Sequence, residues 1–319
     1  MPPRPFLATL LLLVVLAPDA HVAAETVESA ASEATDCEIG LALGSGGAAG
    51  LAHIAMLNVF DELGLRPSRI AGTSIGAVIG ALYAAGLDAD SIETLFAEFG
   101  GSGLDALSRM IDGDNGLGLR DVLNLDLEHG GLIDPEGFIE FLATHTEARD
   151  FGDLRIPLEV IATDYWTGET VVLDEGPLFE AVEASMAVPG LFSPVRRGAH
   201  MLIDGGTTRP LPLDRLRAGC ARVIAVDVSG ARPRPGDQAA AEFSDLLFGS
   251  FELMQQALIA DARFRDPPDL YIKPEIHDVR LLHFNRIESV LAQSAPAAAE
   301  LRAYLEAHRN EQGPDGANR

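Results

Sequence analysis

Ile70-Ala71-Gly72-Thr73-Ser74-Ile75-Gly76-Ala77-Val78-Ile79-Gly80 is the stretch on which the fold turns. It reads as a short buried strand, a tight turn carrying a serine, and a helix of small apolar residues. Gly72-Thr73-Ser74-Ile75-Gly76 fits the G-x-S-x-G nucleophile elbow, in which glycines flanking a serine permit a sharp strand-to-helix turn that exposes the hydroxyl. Taken alone the pattern is common, because Gly, Ser and Ala are common. Its neighbours decide what it means.

Upstream, Glu38 to Leu43 is a short apolar strand that runs into Gly44-Ser45-Gly46-Gly47-Ala48-Ala49-Gly50. Leu51 to Leu63 follows with helical spacing, its apolar face made by Leu51, Ile54, Ala55, Leu57, Phe60 and Leu63, and Gly64 closes it. Strand, glycine-rich turn and helix form an anion-cradling arrangement with free backbone N–H groups at a helix N-terminus. The same pattern also suits a dinucleotide site, which requires an acidic residue about 20 positions further on at the end of a second strand. Glu62 lies within the helix, and the second strand delivers Ser74 instead. The helix that Ser74 opens runs to about Ala85 and is thin enough, through Gly76, Ala77, Gly80, Ala81, Ala84 and Ala85, to pack deep against a sheet.

Downstream, residues 88–150 hold helical fragments broken by glycines and read as a helical cap over an apolar pocket. Strands are expected at Leu158–Thr163, at Thr170–Leu173 as a hairpin arm, at Met201–Ile203 leading into Asp204-Gly205-Gly206, at Val223–Val228 and at Leu270–Ile272. Helices are expected at Leu178–Met186, Leu213–Ala218, Glu242–Phe264 and Arg286–Ala307, with 309–319 a disordered tail. Short apolar strands alternating with helices mean an α/β fold whose mostly parallel sheet is covered on both faces. With no internal repeat and no clean linker, 38–308 reads as a single domain.

The formal net charge of -25, with Lys273 the sole lysine, excludes nucleic acid as a partner, since phosphate neutralisation dominates that affinity. It equally disfavours polybasic attachment to anionic lipid. Arg4, the apolar run Phe6 to Ala17 and the small residues before Glu25 have the layout of a secretory signal peptide over 1–24, followed by a flexible leader over 25–37. Export to the periplasm or beyond is therefore expected, with an uncleaved membrane anchor as the alternative. Cys37 and Cys220 each precede a buried strand, so they could meet at one end of a parallel sheet. A disulfide and two free thiols are both compatible with the sequence, which does not supply a Cα separation.

A serine on an elbow needs a base for its proton and donors for a developing oxyanion. No histidine stands out. His277 and His283 lie in a polar segment, His200 just precedes a strand, and His53 sits on the first helix as a packed residue. Asp204 ends an apolar strand before two glycines, which let another side chain approach closely. Locally it is as well explained as an Asx-turn aspartate.

Three ordered motifs, Leu41 to Ile54, Gly72 to Gly76 and Asp204-Gly205-Gly206, together resemble the patatin-like phospholipases, above all bacterial members related to the neuropathy target esterase catalytic domain. Ala162 to Glu169, Ala184 to Phe192, and Leu211-Pro212 leading to Val223–Val228 match as well. The resemblance implies a patatin-like three-layer α/β/α sandwich and a Ser-Asp dyad without histidine. Carried onto this chain, it makes Ser74 the nucleophile and Asp204 the general base. Gly46, Gly47 and Ala48 become the oxyanion donors, and Gly50, Gly72, Gly76, Gly205 and Gly206 the motif glycines. It implies a lipid or other acyl-ester substrate, transient contact with a membrane or micelle surface, and no cofactor or metal. Hydrolysis of phospholipase A or lysophospholipase type is the expected activity. A lipid acyltransferase with the same dyad and a catalytically weak lipid-binding protein are the alternatives. One departure bears on substrate: the family usually carries Arg or Lys where this chain has Ala49.

Overall fold

The computed structural model describes residues 37–100, 136–230 and 243–311, all within one structural unit. The chain enters on β1 (Cys37–Leu43), turns through a single 3-10 stretch (Gly47–Leu51) and continues as α1 (Ala52–Glu62). Next come β2 (Arg69–Thr73), α2 (Ile75–Ala84), α3 (Ala89–Gly100) and α4 (Glu136–Thr144). The hairpin β3 (Leu158–Asp164) and β4 (Thr170–Leu173) precedes α5 (Leu178–Met186). A second hairpin, β5 (Val195–Arg197) and β6 (His200–Asp204), leads to the one-turn α6 (Asp214–Arg217) and β7 (Cys220–Val226). The chain closes with α7 (Phe243–Arg265), β8 (Leu270–Ile272) and α8 (Ile287–Glu311), which extends past Ala307 through Glu311.

The strands form one sheet in the order β5-β6-β3-β2-β1-β7-β8, with β4 also on β3. The centre, from β3 through β2, β1 and β7 to β8, is parallel. β4, β5 and β6 are joined by antiparallel pairings. Central parallel strands are buried on both faces, which is why β1 and β7 are nearly unbroken apolar runs. Alternate residues still go to different layers. Leu41, Leu43, Ile224 and Val226 join a large apolar cluster with α1, α2, α3, α4, α5 and α8, whereas Ala42, Val223 and Ala225 join a smaller one with Leu216 of α6 and Ile259 of α7. Helices therefore cover both faces of a mostly parallel sheet, giving an α/β/α sandwich.

β5 lies outside the expected strands, and the strand that ends at Asp204, whose direction the sequence left open, runs antiparallel to β3, pairing Ala162 with Asp204 and Thr163 with Ile203. Gly198 at φ 62° makes the tight turn that sends the chain back. The ends of the expected cap, α3 and α4, bury Ile92, Leu95, Phe96 and Leu142 in the large cluster, while residues 101–135 lie outside the described residues. So do the N-terminal apolar run and residues 312–319.

Cys37 and Cys220 are register partners on β1 and β7, with Cα atoms 4.5 Å apart, and they are joined as a disulfide. The bridge sits where both strands begin. The elbow and glycine-rich turn lie at the opposite end.

Candidate active site

Ser74 follows directly on β2 and caps α2, with φ 56° and ψ -122°. That backbone region is costly for a residue with a side chain and persists only where its surroundings enforce it. The enforcement is visible. A methyl group on Gly72 would lie 2.6 Å from the Gly76 carbonyl oxygen, and one on Gly76 would overlap the Leu43 carbonyl. Elbow and β1 are thus pressed together through glycine. Gly50 likewise lets the glycine-rich turn rest against Ile75, the first residue of α2. The Ser74 N–H donates to Ser185 Oγ at 2.8 Å, and Ser185 Oγ donates to the Ile161 carbonyl at 2.6 Å.

Asp204 arrives from the antiparallel side. Thr73 pairs with Ile161 and Asp204 with Ala162, so Ser74 and Asp204 flank β3 at the same level. The Asp204 N–H donates to the Ala187 carbonyl at 2.9 Å, and Thr163 Oγ1 donates to the Asp204 carbonyl at 3.1 Å. Gly205 lets this corner pass over the Ile161 carbonyl. Asp204 Oδ1 accepts the Gly206 N–H at 2.6 Å, which is the Asx-type contact its local sequence suggests. Oδ2 is buried with no partner among the described residues. Burial pushes this carboxyl up to about 6, partly offset by the Ser74 hydroxyl and then by the Gly206 N–H. Among the described residues no histidine acts on it. A buried carboxyl that ionises near neutrality, beside a serine hydroxyl, has the properties of a general base.

The glycine-rich turn supplies fewer free donors than its sequence suggests. Gly44 N–H donates to Val226 O, Ser45 N–H to Pro210 O and Ala48 N–H to Leu281 O at 2.8 Å. Leu281 belongs to the segment between β8 and α8, which packs directly on Gly47. The N–H groups of Gly46 and Gly47 have no partner among the described residues. The Ala49 methyl is buried in the large apolar cluster and lends the site no charge. His53, fully buried, faces the Gly44 carbonyl through Nε2 at 2.9 Å, and burial pushes its pKa down to about 4, so it is neutral at pH 7. Among the described residues no group of three or more His, Cys, Asp or Glu side chains could hold a metal ion.

Residues 41–217, more than half of the 319-residue chain, match the family model described as patatin-like phospholipase. The chain belongs to the patatin-like phospholipase family. Over 203 residues it is 34% identical to an uncharacterized NTE family protein of Mycobacterium tuberculosis, covering 63% of this chain and 52% of that protein. Over 290 residues it is 27% identical to the Saccharomyces cerevisiae lysophospholipase NTE1, covering 79% of this chain and 16% of that one. The chain thus spans about half the length of the first of these relatives and far less of the second. Among solved structures, VipD from Legionella pneumophila is similar at a TM-score of 0.44 and 15% identity, over 84% of this chain and 67% of that one.

Of the residues picked from the sequence, Ser74, Asp204 and the motif glycines come together around the end of β2, and Gly46 and Gly47 have N–H groups without a partner among the described residues. Sequence reasoning missed Ser185 and Leu281, which bind the N–H groups of Ser74 and Ala48, and Ser45 and Gln255, whose Oγ and Nε2 pack against Gly206 beside Asp204 Oδ1. Ser185 and Ala187 fall in the 184–192 stretch that carried part of the family resemblance, so a signal existed for them. For Gln255 and Leu281 there was none, because only the tertiary fold brings them near.

Proposed function

We propose that this patatin-like chain is a serine acyl-ester hydrolase acting on lipids, of phospholipase A or lysophospholipase type. The observation that carries the reading is the Ser74 hydroxyl, on a strained elbow, acting on a buried carboxyl with one open oxygen. Ser74 Oγ attacks the ester carbonyl carbon while its proton passes to Asp204. The developing oxyanion takes hydrogen bonds from Gly46 and Gly47 N–H, where donors placed in advance favour the charge that forms in the transition state. The carbonyl re-forms, the bond to the leaving alcohol breaks, and Asp204 returns the proton to that alcohol. Water then attacks the acyl-enzyme with Asp204 again as base, releasing the carboxylic acid and free Ser74.

Contact with a lipid surface belongs to the same reading. Tyr165 and Trp166, 53% and 68% exposed at the tip of the β3–β4 hairpin, are side chains suited to a membrane–water boundary. Export through residues 1–24 is also part of the proposal and is supported by the Cys37–Cys220 disulfide, since oxidising compartments let such bonds persist. The deciding experiment is cleavage of a short-chain p-nitrophenyl ester and release of fatty acid from lysophospholipid by the purified chain. Both are expected to vanish in Ser74→Ala. Undiminished turnover in that variant would overturn the mechanism.

A further inference from the structure

α7 is apolar on two opposite sides. On one, Gln255 packs on Gly206 and Ile259 joins the smaller apolar cluster. At 3.6 residues per turn the other side carries Leu246, Leu247, Leu253 and Met254, with Ser250 and Ala257 exposed between them. The four large side chains are 50–60% exposed. Among the described residues, five of the seven exposed large apolar side chains belong to α7, which sets this helix apart from the single apolar residues scattered over any surface. The fifth, Phe264, lies beyond Asp261 at the other end of the helix. From Leu246 to Ala260, about 21 Å of helix, Glu252 is the sole charged residue, and it falls toward the buried side. The outward strip is therefore uncharged in a chain whose net charge is -25. A helix apolar on all sides is one that something covers.

Neighbouring strands place the strip. Gln256 Nε2 donates to the Ser229 and Gly230 carbonyls just past the end of β7, whereas the end of α7 leads into β8, which pairs with β7 from Ile224 onward. The first half of α7 thus lies at the end of the sheet where Ser74 and Asp204 stand. Tyr165 and Trp166 follow the last residue of β3, which runs parallel to β2, so they belong to that end too. Charge then selects the occupant. A second copy would bring another net charge of -25 against the strip, and an anionic lipid surface would be repelled likewise. Arg263 and Arg265 lie past the strip, one stacked on Tyr271 and the other paired with Asp261. A zwitterionic lipid surface meets no such repulsion, and it holds the class of substrate read for the site.

We propose that Leu246, Leu247, Leu253 and Met254 form a docking face for a zwitterionic lipid surface, phosphatidylcholine in the test below. The proposal rests on the lipid-hydrolase reading above and adds to it the face on which the protein sits. The four side chains enter the boundary between headgroups and acyl chains, where the apolar face of a helix sinks about 5–10 Å. Burial alone drives the attachment, so it is insensitive to salt and gains nothing from anionic lipid. A soluble ester reaches Ser74 without it.

Two variants of the purified full-length chain test it. The double variant Leu246→Ser with Leu253→Ser changes exposed positions only. Its partition onto phosphatidylcholine vesicles, read by co-sedimentation, is expected to be about 10- to 100-fold weaker than that of the native chain, while turnover of a soluble p-nitrophenyl ester stays within about 2-fold. Leu253→Cys carrying a nitrobenzoxadiazole dye reports the surroundings of the strip. Its emission should be that of a water-exposed dye in buffer, then shift to the blue on vesicles and be quenched by nitroxide-labelled lipid. Blue-shifted emission already in buffer overturns the proposal: a second copy covers the strip if the shift depends on protein concentration, and the chain's own residues cover it if the shift does not. Equal partition of native chain and double variant, or no binding by the native chain, also overturns it. Ester cleavage is a separate readout. A native chain that binds vesicles through the strip and cleaves no ester upholds the docking face and refutes the hydrolase reading, so the two failures are distinguishable.

Discussion

Replacing Asp204 by asparagine removes a buried charge while leaving an oxygen to accept the Gly206 N–H, so the variant separates the cost of the carboxylate from its use. Holding this carboxyl at about 6 against an ordinary 3.8 costs the ionised form about 3 kcal/mol in the folded chain. The sign follows from proton counts. Between pH 3.8 and about 6 the folded state holds a proton that the unfolded state has released, so the native chain loses stability as pH rises through that window. Asp204→Asn escapes the loss. It is expected to be more stable than the native chain by about 3 kcal/mol at pH 7.5, by about half that at pH 5, and by nearly nothing below pH 4. In a chain of this size the neutral-pH gain corresponds to a rise of about 6 °C in Tm. Urea unfolding at three pH values, disulfide intact, measures it. Ester turnover in the native chain should fall about tenfold per pH unit below about 6, as the base becomes protonated. The same turnover should be lost in the asparagine variant. A stability difference independent of pH would refute the claim that burial raises this carboxyl. Retained turnover would refute its role as base.

The backbone at Ser74 makes a second prediction: Ser74→Gly should be more stable than Ser74→Ala by about 1 kcal/mol, because glycine relieves the positive φ but gives back part of the gain as chain entropy. Equal unfolding midpoints would mean the elbow is unstrained. Reducing the Cys37–Cys220 bond, which spans 183 residues of sequence, should cost about 2–4 kcal/mol of stability while sparing activity at 25 °C, because it lies at the far end of β1 and β7. Loss of turnover in the reduced but folded chain would contradict that placement. Trp166→Ala should lower turnover on phosphatidylcholine vesicles several-fold while leaving a soluble ester unaffected, the interfacial ring having a role only at a lipid surface. An equal effect on both substrates would place Trp166 in the site itself.

The elbow and the aspartate were legible because glycine reports backbone geometry directly. Gly72 and Gly76 stand where β1 and α2 touch the turn, and Gly205 and Gly206 stand where the corner after β6 crosses Ile161 and opens beside Asp204. Strand direction was not legible. The β5–β6 return depends on a three-residue strand and a turn at Gly198, too short to leave a periodic signal, and it brings Asp204 in antiparallel to β3. Donor status was not legible either. Ala48 has the sequence context of an oxyanion donor, but its N–H is bound by Leu281, more than 200 residues away along the chain. Gln255 reads as an ordinary polar residue of a long helix, and only the packing of α7 against the turn after β6 puts it beside the base.

The central claim is that Ser74, activated by Asp204, forms a covalent acyl-enzyme. Its most direct test is to treat the folded native chain with a fluorophosphonate across pH 5 to 8 and map the adduct by peptide mass spectrometry. The account predicts a single adduct on the peptide containing Ser74, a labelling rate that rises with pH to a plateau above about 6, and no adduct in Ser74→Ala. Labelling that persists in Ser74→Ala, or a folded native chain that takes no label at any pH, would contradict it.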